Sequence, residues 1–161
     1  MFYEQRAQNR REQQAREQAQ RAEEENALSE ARVAARILQG ELAWVESRIG
    51  NALKPRRLRY WDESYGLRDD GWLAYRERIA AYMSNEDWSL VRDGFRAARA
   101  AELQATLRRK SERSPGAVTE NGAKLLRGAH RKVSMAVDAL VALAEARPEA
   151  ELDMDDGDEG E

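Results

Sequence analysis

Apolar residues recur every three or four positions between residues 28 and 53. This spacing places one side chain per turn on the same side of a helix, so it predicts an α-helix with one buried face. No proline interrupts the chain from Glu4 onward until Pro55, which ends the helix because it restricts the residue before it. We expect Ile37 and Trp44 to widen the buried face. The predicted face consists of Leu28, Ala31, Ala35, Leu38, Leu42, Val45, Ile49 and Leu53.

The residues before this face, 4–26, have alanine as their only apolar residue and are otherwise mainly Glu, Gln and Arg. These residue types favour helix, and oppositely charged side chains four positions apart, such as Glu12 and Arg16, add a few tenths of a kcal/mol each. We therefore expect one continuous helix, about 75 Å long at 1.5 Å per residue. We expect its first half, the stem, to protrude from the fold as a solvated helix, a weak coiled-coil arm or a frayed segment.

Three further helices are expected. The second begins at Asp69-Asp70-Gly71 and turns Trp72, Tyr75 or Arg76, Ile79 and Met83 inward. The third runs from a cap at Ser84 to about Lys110, with an inward face of Trp88, Val91, Phe95, Ala98 and Ala101 or Glu102, continued nearby by Leu103 and Leu107. The fourth starts near Thr119, ends before Pro148 and carries Leu126, Ala129, Val133, Ala136, Leu140 and Leu143 on one face. The fold class is all-α, a helical bundle of about four helices.

Composition divides the 161 residues into three parts: the polar stem (1–26), the helical bundle (27–148) and an acidic tail (149–161) that we expect to be disordered. The tail holds eight acidic residues and no base, which leaves 22 acidic and 27 basic residues, a net charge of +5, for residues 1–148. No cysteine is present. No apolar run approaches the roughly 18 residues of a membrane span. We expect a cytoplasmic protein, or one that reaches a membrane only through a partner.

The sequence offers little for catalysis. His130 is the only histidine and lies beside Arg131 and Lys132, so we expect it on the surface. Acidic residues such as Glu23, Glu24 and Glu25 are consecutive and point around a helix instead of converging on a metal. We predict that the protein is not an enzyme and needs no cofactor and no metal.

Basic clusters support an alternative, a small nucleic-acid-binding protein that is restrained by its acidic tail. Two clusters lie near predicted helix ends, and Tyr60 and Trp61 beside the first of them are suited to stacking on a nucleobase. The negative end of the helix dipole also favours Lys and Arg side chains at helix C-termini, so these clusters have a purely structural interpretation too. The candidate contact residues are Lys54, Arg56, Arg57, Arg59, Tyr60, Trp61, Arg108, Arg109 and Lys110, with a third basic cluster at Arg127, Arg131 and Lys132.

The four tryptophans also have two interpretations. Trp44, Trp72 and Trp88 lie on predicted apolar faces, where aromatic residues commonly supply core area. A ligand pocket lined by Trp61, Tyr65 and Trp72 is the alternative. Core packing is the interpretation that the spacing favours.

Four segments together resemble a loose group of uncharacterised, mostly actinobacterial helical proteins. They are Arg36-Ile37-Leu38-Gln39-Gly40-Glu41-Leu42, the pair Tyr60-Trp61, Trp72-Leu73-Ala74-Tyr75-Arg76, and Glu86-Asp87-Trp88-Ser89-Leu90-Val91. The resemblance covers about residues 10–110 and implies a charged stem helix followed by two helices that begin with tryptophan. It implies no activity. Members often have a membrane-spanning helix ahead of the stem, which implies a spacer role for the stem.

The leading functional prediction is a non-enzymatic interaction or scaffold protein. A long helix with a polar half has no reason to exist in a compact monomer, so we expect the first helix to self-associate, as a homodimer, or to bind a protein partner.

Overall fold

The computed structural model describes residues 2–54, 67, 69–110 and 117–146. Within these ranges the chain forms four α-helices: α1 (Phe2–Leu53), α2 (Asp69–Ala80), α3 (Asn85–Arg109) and α4 (Glu120–Glu145). The all-α prediction with about four helices is confirmed. The acidic tail, which we predicted to be disordered, lies outside the described residues.

Helix α1 is one unbroken helix of 52 residues, about 78 Å long at 1.5 Å per residue. Every side chain from Gln8 to Ala27 is exposed, and Ala31 is the first that is fully buried. The predicted protruding stem is therefore confirmed. Side-chain amides donate to carboxylates one turn later along it, from Gln13 Nε2 to Glu17 Oε1 at 3.0 Å and from Gln20 Nε2 to Glu24 Oε1 at 3.2 Å.

The second half of α1 is packed into the bundle. Six of the eight residues of its predicted face are fully buried, and Leu28 and Leu53 at its ends are half-buried. The expected widening by Ile37 and Trp44 is wrong, because these side chains are 39% and 40% exposed on the opposite side of the helix. Ala34 and Ala52 widen the buried face instead. The six buried residues are Ala31, Ala35, Leu38, Leu42, Val45 and Ile49.

Helix α4 lies at the centre of the bundle and packs against both α1 and α3. The Thr119 hydroxyl caps its start by accepting a hydrogen bond from the Gly122 N–H at 3.2 Å. All six residues of the predicted inward face of α4 are buried. Its neighbour α3 approaches so closely that a Cβ atom on Gly94 would overlap the Cβ atom of Ala136.

Helix α3 begins with the predicted cap, since the Ser84 hydroxyl accepts from the Asp87 N–H at 3.0 Å and donates to Asp87 Oδ2 at 2.7 Å. Its buried face continues through Ala105. The expected continuation through Leu103 and Leu107 is wrong, because these side chains are 63% and 59% exposed. Close packing of α3 on α4 selects small residues, and the larger leucines lie on the outer side.

The shorter helix α2 packs mainly against α1. Ile79 is buried, and Trp72, Tyr75 and Met83 are half-buried against the core, whereas Arg76 is exposed. Of the two alternatives for the inward face, the structure therefore selects Tyr75.

Contacts near the C-terminus and near the middle of α4 fix the helix directions. Near the C-terminus of α4, Arg32 donates to the Ala146 carbonyl and Arg36 to the Ala144 carbonyl at 3.4 Å. Near its middle, His130 faces Gly50 of α1. Helices α1 and α4 are therefore antiparallel, and the stem leaves the bundle beside the C-terminus of α4. The expectation of a surface His130 is wrong, because the ring is half-buried between these two helices.

Candidate interaction surfaces

The predicted basic residues are only partly within the described chain. Lys54 is exposed at the end of α1, and Lys110 is exposed at the end of α3. Arg108 is half-buried and donates to the Thr119 hydroxyl at 3.4 Å. Arg56, Arg57, Arg59, Tyr60 and Trp61 lie outside the described residues, as does the side chain of Arg109.

Helix directions bring two of these bases to one end of the bundle. Gly94 lies against Ala136, and Arg108 reaches Thr119, so α3 is antiparallel to α4 in the same way as α1. The C-termini of α1 and α3, with Lys54 and Lys110, therefore lie at the end of the bundle opposite the stem.

The third basic cluster lies on α4. Arg127 donates to Glu120 on the same helix at 3.1 Å, while Arg131 and Lys132 are exposed to solvent. Part of its positive charge is therefore balanced locally.

An aromatic cleft with an arginine rim lies between α2 and α3. The Trp72 ring stacks on Trp88 with centroids 5.4 Å apart and on Phe95 at 4.3 Å. The cleft has a volume of about 390 Å³, at the lower end of small-molecule pockets. Its rim carries Arg76, Arg92, Arg96 and Arg99, together with Glu77.

Nearby acidic residues balance part of the charge on this rim. Asp93 lies 3.9 Å from Arg92 Nε and 3.7 Å from Arg96 Nη1. The alternative ligand pocket predicted from the sequence contains Trp72 but combines it with Trp61 and Tyr65, which lie outside the described residues. The signal for the observed cleft was the arginine spacing on α3, where residues 92, 96 and 99 share a side with Trp88.

Glu102 on α3 forms a polar contact at the edge of the core. Its Oε1 accepts a hydrogen bond from the Leu67 N–H at 2.6 Å. Burial raises the pKa of Glu102, while this hydrogen bond and the positive charges of Arg48 and Arg99 act in the opposite direction. The carboxylate attaches Leu67, in the connection between α1 and α2, to α3, so its role is structural.

An exposed side of α1 runs from the stem into the bundle, and we name it the outer face of α1. In the stem it is built of small and polar residues, and further along it becomes apolar, with Val33 51% exposed. A Cβ atom on Gly40 would have no neighbour within 4 Å. Trp44 ends the apolar part, with the Arg48 guanidinium 4.2 Å from the ring centroid. The outer face comprises Ala15, Ala19, Ala22, Asn26, Ser29, Val33, Ile37, Gly40 and Trp44.

The outer face repeats every three or four residues, as the buried face does, along a different side of the helix. The sequence pattern does not reveal the outer face, because the buried face carries more of the large apolar residues. Ile37 and Trp44 were assigned to that buried face and belong to the outer one.

Comparisons with known proteins give no further guidance. No protein-family model matches the chain, and no significant match was found among curated proteins or solved structures. The resemblance to the actinobacterial group therefore stays a prediction. Across the helices of the described ranges, none combines the length and apolar composition needed to cross a membrane. The described side chains also contain no group of three or more acidic or histidine residues placed to hold a metal ion.

Proposed function

We propose that this chain is a non-enzymatic interaction or scaffold protein that associates through α1, by pairing with itself or with a protein partner. The observation that carries this proposal is the exposure of every side chain from Gln8 to Ala27 on an unbroken helix. The outer face of α1 extends this exposed helix into the bundle. No catalytic step is part of the proposal.

Helix energetics support a packing partner for the stem. An isolated helix is marginal in water, because most helical stability in proteins comes from packing of one face. The stem already continues from a packed helix, so the unfavourable nucleation step is avoided. A second helix on its outer face would bury the alanines and the neighbouring apolar side chains.

Light scattering on the intact chain and on a variant that lacks residues 1–26 tests the proposal. We expect the intact chain to exceed the monomer mass at tens of micromolar, and the shortened chain to be a monomer. Cooperative unfolding of the shortened chain is the control for an intact bundle. A strict monomer in both cases would remove self-association. If the intact chain then captures only the proteins that the shortened chain also captures, the partner-binding form of the proposal is removed as well.

A second candidate function is nucleic-acid binding, favoured by the arginine rim of the aromatic cleft. Bases that stack on aromatic rings and phosphates that pair with arginine are the usual components of single-strand recognition. Lys54 and Lys110 at the end of the bundle would extend the contact. The acidic tail would compete with the nucleic acid for these lysine and arginine side chains.

Binding of a single-stranded oligonucleotide at low salt tests this second function. Removal of residues 149–161 should raise the affinity, and the joint replacement Arg92→Ala and Arg96→Ala should lower it. Arg6→Ala with Arg10→Ala on the stem is a control of equal charge. No binding by the tail-less chain at low salt, or equal losses in both pairs of variants, would contradict it.

A cytoplasmic location also stays a prediction. Fractionation of cells that produce the chain would test it, with recovery in the membrane pellet as the contrary result.

A further inference from the structure

We propose that the partner of the stem is a second copy of this chain, which lies antiparallel along the outer face of α1. This inference rests on the proposed function, and it adds the identity of the partner, the face and the direction of the two helices.

The outer face has the shape that a close pair of helices needs. Ala15, Ala19 and Ala22 follow each other at steps of four and three residues, and all three are exposed. Small side chains at such positions let two helix backbones approach closely and gain dispersion contacts along their length. The centre of the pair therefore lies in the segment from Ala15 to Ala22.

The charge distribution along the stem decides the direction. Residues 5–21 contain five arginines and two glutamates, a net charge of +3, whereas residues 22–30 contain four glutamates and no base, a net charge of −4. A parallel pair would place each acidic segment against its copy. An antiparallel pair centred between residues 15 and 22 places the arginine-rich segment beside the glutamate-rich one, which favours association.

The residues beside the outer face lead to the same direction. In a parallel coiled coil, a side chain that flanks the contact face on one helix meets the flanking side chain five positions further along the other helix. This arrangement would bring Arg11 against Arg16, and Glu25 against Glu30. In the antiparallel arrangement, Arg11 meets Glu25 of the second copy. In a second possible register, in which the second copy is shifted along the axis by one heptad, Arg16 meets Glu23 of that copy instead.

The antiparallel arrangement also covers the apolar end of the outer face. In the register in which Arg16 meets Glu23 of the second copy, residues 4–8 of that copy come level with Ile37 and Val33. These two residues are exposed where α1 joins the bundle. The bundles of the two copies then lie at opposite ends of the dimer, and the two stems overlap between them.

Single cysteine variants test the direction, because the chain has no cysteine of its own. In an antiparallel pair centred in this segment, the two copies of residue 26 lie about 17–27 Å apart along the axis. A disulfide needs Cα atoms within about 7 Å. Asn26→Cys alone should therefore form no disulfide dimer, whereas a parallel pair would form one.

Mixtures of two variants provide the positive result. Asn26→Cys should form mixed disulfides with Ala15→Cys or with Gln8→Cys, depending on which of the two heptad registers is adopted. Gln13→Cys lies at nearly the same level as Ala15 but on another side of the helix. Its mixture with Asn26→Cys should form at least tenfold less disulfide, which controls for random collision.

Light scattering on the same variants under reducing conditions separates the possible failures. A monomer at every concentration would contradict the self-association on which this inference rests. A dimer in which Asn26→Cys alone is cross-linked, or in which neither mixture exceeds the Gln13→Cys control, would overturn the antiparallel arrangement while leaving self-association intact.

Discussion

The stem and the packed half of α1 belong to one helix but are stabilised in different ways. From Gln8 to Ala27 all side chains are exposed, and helix propensity and contacts such as that between Gln13 and Glu17 support the backbone. From Ala31 onward, one face is buried against α4 and α2. A helix is costly to start but easy to extend, so the packed half can hold the stem in helical form. The comparison shows that a continuous helix need not be a uniformly stable one.

A proline placed in one half or the other should show the largest difference between the two halves in their effect on bundle stability. Gln39→Pro removes a backbone hydrogen bond within the packed half and adds a steric clash, at a cost of about 3 kcal/mol or more. Gln14→Pro has a similar local cost, but no described residue of the chain packs on the stem. Urea unfolding followed by tryptophan fluorescence should show a large loss of bundle stability for Gln39→Pro alone. An equal loss for Gln14→Pro would mean that the stem supports the bundle.

Glycine replacements sharpen the contrast between packed and exposed helix faces. A Cβ atom on Gly94 would overlap Ala136 Cβ and lie 3.1 Å from the Lys132 carbonyl oxygen, so Gly94→Ala should cost about 1–3 kcal/mol. Gly128 on α4 has open space around it, and Gly128→Ala should stabilise by about 0.5–1 kcal/mol. Thermal or urea unfolding measures both changes. Stabilisation by both variants would contradict the close approach of α3 and α4.

Glu102 provides a smaller effect that depends on pH. Burial raises its pKa above that of an ordinary glutamate, so between the unfolded and folded pKa values the folded state binds more protons. The contribution of this group to stability therefore falls as pH rises through that window. Glu102→Gln keeps an acceptor for the Leu67 N–H but removes the titration. The stability of Glu102→Gln relative to the original chain should rise from pH 4.5 to pH 7. A fall would mean that folding lowers the pKa of Glu102 instead of raising it.

Strong apolar periodicity made most of the fold predictable. The faces of α1 and α4 repeat leucine, valine and isoleucine at regular steps, and the caps at Ser84 and Thr119 have recognisable residue types. The failures at Leu103 and Ile37 share one cause. Periodicity finds the sides of a helix that carry apolar residues, but neighbouring helices decide which of those sides is buried.

The candidate surfaces were harder to predict. The outer face of α1 was hidden in the sequence because alanine, asparagine and serine do not stand out from a polar stem. The arginine rim depends on α2 and α3 meeting at Trp72 and Trp88, and that contact is tertiary. Spacing alone identified neither surface as one unit.

Amide hydrogen exchange along α1 at two protein concentrations tests the central claim most directly. We predict slow exchange for residues 31–53 at both concentrations. Residues 8–27 should exchange rapidly in dilute solution and more slowly in concentrated solution, because the outer face then pairs with a second copy. Slow exchange of residues 8–27 in dilute solution would mean that the stem packs on its own bundle, and rapid exchange at both concentrations would mean that it does not pair with a second copy. Either result would contradict the account.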